Sequence, residues 1–330
     1  MMQVRLALVI MLVMNLQACQ SDSNITSSFI SRISASQFDS IAWSPDGTTI
    51  FAVGAPIPPS EEGYPYLITI QDGLVEQLSD APDSYQFPTW SPDGTQVAIT
   101  VDGDTIWLFS ITSRQLIFLV PGEIASWSSD GTKLAVYVGP QSNPGTSRRE
   151  LLIVDLQGEI LQRIDVGAVI PPLLVTPSPT VPTSLGTFTP PPILLPPTEY
   201  LLGMTWTSAS GNRIAFSVEG SASTNVPPAA YIVNLEGGEV GEFLRGETIG
   251  FLAWSPDGSK LAYIRPNNLN GELIIAQADG TCLFKPDIPS EIRGFAWSPD
   301  GTKIAFLYRG AIYILDLEIA LKNSSSVTGC

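Results

Sequence analysis

The chain has 330 residues, 44% of them hydrophobic, a formal net charge of −16 and no histidine. That apolar content suffices for a sizeable core, and the missing histidine excludes Ser-His-Asp and Cys-His catalysis, histidine general bases and most zinc sites. The acidic balance argues against nucleic acid, which needs a basic surface, and against electrostatic docking on anionic lipid.

Residues 1–18 read as a targeting segment. Arg5 supplies a positive start, and Leu6 to Leu16 is an apolar run too short to span a bilayer comfortably. Leu16-Gln17-Ala18-Cys19 follows and resembles a bacterial lipobox, which implies that Cys19 becomes the lipidated first residue of the mature protein. Residues 19–28 are polar and Ser-rich, as a tether would be. A disulfide between Cys282 and Cys330, the other two thiols, is permitted outside the cytoplasm but is left open by the sequence.

From residue 29 the chain reads as strands and turns. One phrase organises it: W-S-P-D-G-T followed by an apolar triplet, starting at Trp43 and Trp90, then at Trp127 with serine for proline, and at Trp254 and Trp297. A worn copy starts at Trp206, so six of the seven tryptophans open a unit. In the four S-P-D-G turns proline presets φ near −65°, aspartate bonds nearby backbone N–H groups and glycine supplies the positive φ that reverses the chain. Apolar runs on both sides make the phrase a β-hairpin, and the recurring Trp is a packing position. Five of the 32 acidic residues are these turn aspartates, Asp46, Asp93, Asp130, Asp257 and Asp300.

Each hairpin is followed by further strand-like runs, giving six units of about four strands. Only the sixth lacks a fourth strand, while Phe29 to Ile33 stands as an orphan before the first Trp; it is expected to complete the sixth unit and close the ring. No helix beyond two turns is expected. Residues 168–199 interrupt the series between units three and four. Pro171 to Pro197 holds ten of the 28 prolines, interleaved with Thr and Ser, and reads as a disordered excursion.

The W-S-P-D-G-T-K phrase resembles the WD40-like repeat of TolB-type periplasmic proteins and of prolyl-oligopeptidase-family propellers. The resemblance covers residues 29–330 and implies an all-β, six-bladed β-propeller of four-stranded antiparallel blades. No stretch corresponds to the separate N-terminal α/β domain of TolB-type proteins or to the hydrolase domain of the peptidases. The matching residues are turn and core positions, so the resemblance speaks to fold more than to function.

For function, two readings stand. The favoured one is a non-enzymatic, extracytoplasmic, lipid-anchored binding or scaffold protein, monomeric, without cofactor or metal. The alternative is a ligand-sensing or calcium-dependent hydrolase or lyase-type propeller using carboxylates at the tunnel mouth, since oxygen ligands suffice for calcium; no D-x-D-x-D-G loop supports it. In an antiparallel meander, the S-P-D-G turns share one face with the strand-three-to-four turns. The other face collects the long segments: Ala55 to Pro65, Gly139 to Glu150, the Pro-rich insertion, Glu219 to Ala229 and Arg265 to Gly271. Four residues before the tryptophans lie Asp39, Gln86, Glu123, Leu202, Gly250 and Arg293. Asp39, Gln86, Glu123 and Arg293 are therefore expected to ring the mouth on the loop-rich face and contact a small polar ligand or a partner's peptide.

Overall fold

A computed structural model describes residues 30–33, 37–54, 63–79, 83–139, 149–166, 201–207, 213–218, 229–236, 240–245, 249–267, 270–279 and 281–323, together with strands at 173–175, 181–183, 186–188 and 193–195. Cys19, the targeting segment, the tether and Cys330 lie outside the described residues, as do most of the long loops assigned to one face.

Six four-stranded antiparallel sheets form the blades. Their inner strands are Ser40–Trp43, Tyr85–Trp90, Ile124–Trp127, Leu201–Trp206, Leu252–Trp254 and Ile292–Trp297, each ending on a repeat tryptophan. The sixth blade takes its outer strand from the other end of the chain. Ile30–Arg32 pairs antiparallel with Ala311–Asp316, placing Ile30 opposite Leu315 and Arg32 opposite Tyr313. The ring is thus closed by the orphan strand.

The core divides at the blade interfaces. Each of six clusters of buried side chains draws on two neighbouring blades, for example Phe51 and Val53 of blade 1 with Val97, Ile99 and Phe109 of blade 2. The seam between blades 6 and 1 has its own cluster, in which Ala305, Leu307 and Ile312 meet Phe38, Ile41 and Ile50. Three of the tryptophans lock their interfaces by hydrogen bonds. The indole N–H of Trp90 donates to the Ala42 carbonyl at 3.1 Å, that of Trp127 to Thr89 at 3.0 Å, and that of Trp297 to Ala253 at 3.1 Å. Each of these acceptors is the residue just before the previous blade's tryptophan, so a small residue there leaves room for the incoming ring. At the seam this rule fails: the indole N–H of Trp43 is buried without an acceptor.

The turns repeat one bonding pattern. In blade 1, Ser44 Oγ donates to Asp46 Oδ1 at 2.6 Å and accepts from the Thr49 N–H at 3.0 Å, while Asp46 also receives the Thr48 N–H at 3.0 Å. The serine is therefore as much a part of the turn as the aspartate. Gly47, at φ +76°, leaves space that the Pro299 ring of the previous blade approaches; a Cβ there would lie 3.3 Å from it. Gly94 meets Pro45 and Gly131 meets Pro92 in the same manner.

These bonds stabilise the ionised carboxylates. Hydrogen bonds from Ser255 and Ser259 hold Asp257 at about 2, and those from Thr132 and Ser128 hold Asp130 at about 2. Asp46, Asp93 and Asp300 are lowered by the same kinds of donor. A lowered folded-state pKa stabilises the fold above the unfolded value of about 3.9, and that contribution is lost as pH falls toward about 2. Asp257→Asn is thus expected to be less stable than the wild type at pH 7, with the gap in denaturation free energy closing as pH drops through that window. A gap independent of pH contradicts this assignment.

One segment differs from the sequence expectations, and two further elements accompany the blades. Arg265 to Gly271, expected as a loop, is largely ladder: the second and third strands of blade 5 pair out to Asn267 opposite Asn270. The inner strand pairs only with Leu261 to Tyr263, so the extension is a two-stranded ribbon in which Pro266 need not supply a donor to a third strand. A helix, Leu317–Asn323, follows the last blade. Asp316 caps it by accepting the Ile319 N–H at 3.0 Å, and Glu318 pairs with Lys322 at 2.7 Å. Within the Pro-rich insertion, 173–175 pairs with 193–195 and 181–183 with 186–188; isolated two-stranded pairs tolerate proline on their free sides.

Candidate functional site at the tunnel mouth

The strand register fixes the two faces. Ser40, at the start of an inner strand, lies opposite Val53 at the end of the second, and Gly54 lies opposite Tyr64 at the start of the third. Inner-strand starts therefore share a face with the strand-two-to-three connections. At the other end, the Ile70 N–H bonds the Thr48 carbonyl and the Ile111 N–H that of Thr95, which puts the third-strand ends beside the S-P-D-G turns.

A central cavity of about 340 Å³ runs along the inner strands. Asp39 lines it at the loop-rich end, and Pro45, Pro92 and Pro299 line it at the turn end. Its narrowing side chains come from a column the sequence reading did not single out, three residues before each tryptophan: Ser40, Phe87, Ile124, Gly203, Phe251 and Gly294. Phe87 and Phe251, from opposite blades of the ring, meet with centroids 5.7 Å apart. Phe87 has φ +48°, at a register shift between Gln86 and Thr89. The bulge turns its ring toward the axis at a cost in backbone strain. Gly203 answers it in blade 4: a Cβ there would lie 3.3 Å from the Phe251 Cα. Two phenylalanines three blades apart, with glycines at two other positions of the column, were the available sequence signal.

A second cavity, about 390 Å³, opens at the seam between the last blade and the first. Asp39 and Arg293 both line it, with Gln37, Glu291 and Arg309. Asp39 is exposed, and the protein crowding one side of its carboxylate raises its pKa while the Arg293 charge acts in the opposite direction. Arg309 donates to Glu291 at 3.3 Å and stacks over Tyr308 at 5.1 Å. Glu291 and Arg309 both hold positive φ, +110° and +50°. Gly271 allows the close approach that shapes the wall, since a Cβ there would collide with the Ile292 carbonyl oxygen.

The four expected mouth residues are thus placed differently. Asp39 and Arg293 come together at the seam. Gln86 is exposed at the start of its inner strand, and neither cavity includes it among its walls. Glu123 is buried, with its carboxylate in the space beside Gly139 and Tyr137. Among the described residues, no group of three or more Cys, Asp and Glu side chains is placed to hold a metal ion.

No family model and no curated protein matches the sequence. Among solved structures, the chain is similar to TolB from Acinetobacter baumannii, with a TM-score of 0.52 and 17% identity, covering 84% of this chain and 53% of that one. It is similar to the putative TolB from Agrobacterium tumefaciens, with a TM-score of 0.59 and 18% identity, covering 87% and 96% of the two chains. An oligogalacturonate lyase in complex with manganese gives a TM-score of 0.53 and 17% identity, covering 87% and 93%. The chain spans about half the length of the A. baumannii protein. At such identities the likeness is one of architecture, and on it the chain is a distant structural match to TolB, built as a six-bladed β-propeller.

Proposed function

We propose that the protein is a non-enzymatic binding module, held outside the cytoplasm by lipid on Cys19, that recognises a protein or peptide partner through its loop-rich face. The observation that carries this reading is the seam cavity. Two acids and two arginines converge there from the ends of the ring, on strained backbone that the surrounding blades must hold in place. Alternating charge in a concave site suits the selection of a polar or charged partner segment, and it offers specificity more than raw affinity. The similarity to TolB supports a propeller used as a scaffold. The rigid ring fits that role, because it displays variable loops without moving itself.

The test is capture of partners from detergent-solubilised membranes with the lipidated protein as bait. Proteins recovered by the wild type are expected to be lost with Asp39→Lys or Arg293→Glu and retained with Asp257→Asn, which alters the opposite face. Reversal of charge at exposed positions should leave the fold intact, as melting curves would verify. Equal recovery with all three variants removes the seam from the recognition surface.

A further inference from the structure

We infer that the S-P-D-G face is the membrane-facing side of the anchored protein, and that its outer rim rests on the lipid surface. This deepens the anchored-scaffold reading and rests on lipidation at Cys19. Two independent placements converge on it.

The first is the distribution of exposed apolar side chains. Among the described residues the large exposed hydrophobics are Leu74 and Val75 on blade 1, Ile117 and Phe118 on blade 2, Ile160 and Leu161 on blade 3, and Ile319 and Leu321 on the helix beside blade 6. Outer strands start at the S-P-D-G face, and each blade residue here either precedes its outer strand directly or falls within its first three positions. At about 3.3 Å per residue, that keeps them within roughly 10 Å of this face. The helix also belongs to it, since the Leu317 N–H bonds the Thr302 carbonyl of the sixth turn. These described apolar groups therefore share one face, over four consecutive blades. Leu74 at 64% and Ile117 at 59% exposure are as open as polar surface residues. Such an arc marks an interaction surface.

The second placement is where the chain enters. Ile30 lies opposite Leu315, one residue from the end of its strand at the S-P-D-G face, and Ile33 bonds Ile312 further toward the other face. The chain thus comes into blade 6 from the S-P-D-G side, inside the same arc. Cys19 precedes Ile30 by eleven residues, which span at most about 40 Å fully extended. Lipid on Cys19 keeps this side of the disc near the bilayer, and the apolar arc adds a contact that fixes the orientation of the disc on it. The seam cavity and the tunnel mouth then face away from the membrane.

Charge narrows the lipid. Asp46, Asp93, Asp130, Asp257 and Asp300 are on this face, and as carboxylates they are ionised at neutral pH. The surface fits uncharged or zwitterionic headgroups, and anionic lipid should weaken the contact.

Hydroxyl-radical footprinting tests this on the lipidated protein in phosphatidylcholine vesicles, with the Cys19→Ala protein in solution as reference. Oxidation of Leu74, Phe118 and Leu161 is expected to fall at least about threefold on vesicles, with Tyr64 and Tyr85 on the opposite face unchanged. Adding phosphatidylglycerol should reverse part of that protection. Phe118→Asp with Leu161→Asp, both at exposed sites, should leave the protein anchored while Leu74 becomes as reactive as in solution. If the lipidated protein is vesicle-bound but its rim oxidises as in solution, or if Tyr64 and Tyr85 are the protected groups, the orientation is wrong. Rim protection already present in solution, with a doubled hydrodynamic mass, would assign the arc to a second copy of the chain and overturn the proposal. If wild type and Cys19→Ala float equally with vesicles, the anchor itself fails, a result separate from the others.

Discussion

Trp297→Ala should destabilise the propeller by about 3–5 kcal/mol in chemical denaturation, the range for truncating a large aromatic in a core. Trp297 is buried between blades 5 and 6, packed with Ile264, Phe284 and Ile304. Its indole N–H also satisfies the Ala253 carbonyl. Trp297→Phe keeps most of the apolar contact and loses that bond, for an expected loss of about 1–2 kcal/mol. Trp43 provides the control. Its indole N–H is buried with no acceptor, so Trp43→Phe loses no hydrogen bond and should cost at least about 1 kcal/mol less than Trp297→Phe. Equal costs at the two positions would show that the indole bonds contribute nothing to the lock between blades.

Deleting residues 30–33 should lower the melting temperature by about 10 °C or more. The seam lacks an indole bond, so its closure depends on other contacts. Three residue pairs join Ile30–Arg32 to the last blade, the Ile33 N–H adds a bond to Ile312 at 3.0 Å, and Arg32 lies over the Tyr313 ring at 5.9 Å. Ile30 and Ile33 pack against the clusters on either side of blade 6. A few net hydrogen bonds at about 1 kcal/mol each and two partly buried isoleucines sum to several kcal/mol. The deletion also leaves Ala311–Asp316 as an open edge, so aggregation above the transition is expected as well. Deleting 20–28 instead, in the same background, should leave the melting temperature unchanged. If both deletions behave alike, the strand does not close the ring.

The architecture was legible because its determinants are local and repeated. Ser-Pro-Asp-Gly dictates its own turn, the tryptophan column sets the inner-strand register, and F-I-S-R-I was the one strand-like run without a blade. The helix after Asp316 was also written in the sequence, as a capping aspartate, Glu318 in the first turn and Lys322 in the last. At seven residues it stays within the two turns that the sequence allows. Blade 5 misled for a different reason: Pro266 and Gly271 read as loop residues, but beyond the reach of the inner strand a two-stranded ribbon accommodates both.

The candidate site was legible only in part. Asp39 and Arg293 were reached by aligning one column on the tryptophans. Their cavity partners Glu291 and Arg309 fall outside that column, and closure of the ring brings Glu291, Arg293 and Arg309 beside Gln37 and Asp39 from the opposite end of the described chain. Nothing local in the sequence encodes such a neighbourhood. Glu123 occupies the same column as Asp39, yet it turns inward, because Gly139 has no side chain to fill the space beside Tyr137. The equivalence of positions along a repeat fixes backbone placement and leaves side-chain direction to the neighbours.

The central claim is that recognition takes place on the loop-rich face at the seam, with the S-P-D-G face turned away from the partner. Photo-crosslinking in cells addresses it most directly, with a photoreactive amino acid placed at residue 309 beside the seam cavity or at residue 132 in an S-P-D-G-type turn. The account predicts discrete, partner-sized adducts from position 309 that disappear when Asp39→Lys is added, and none from position 132. Protein adducts from position 132 alone would contradict it.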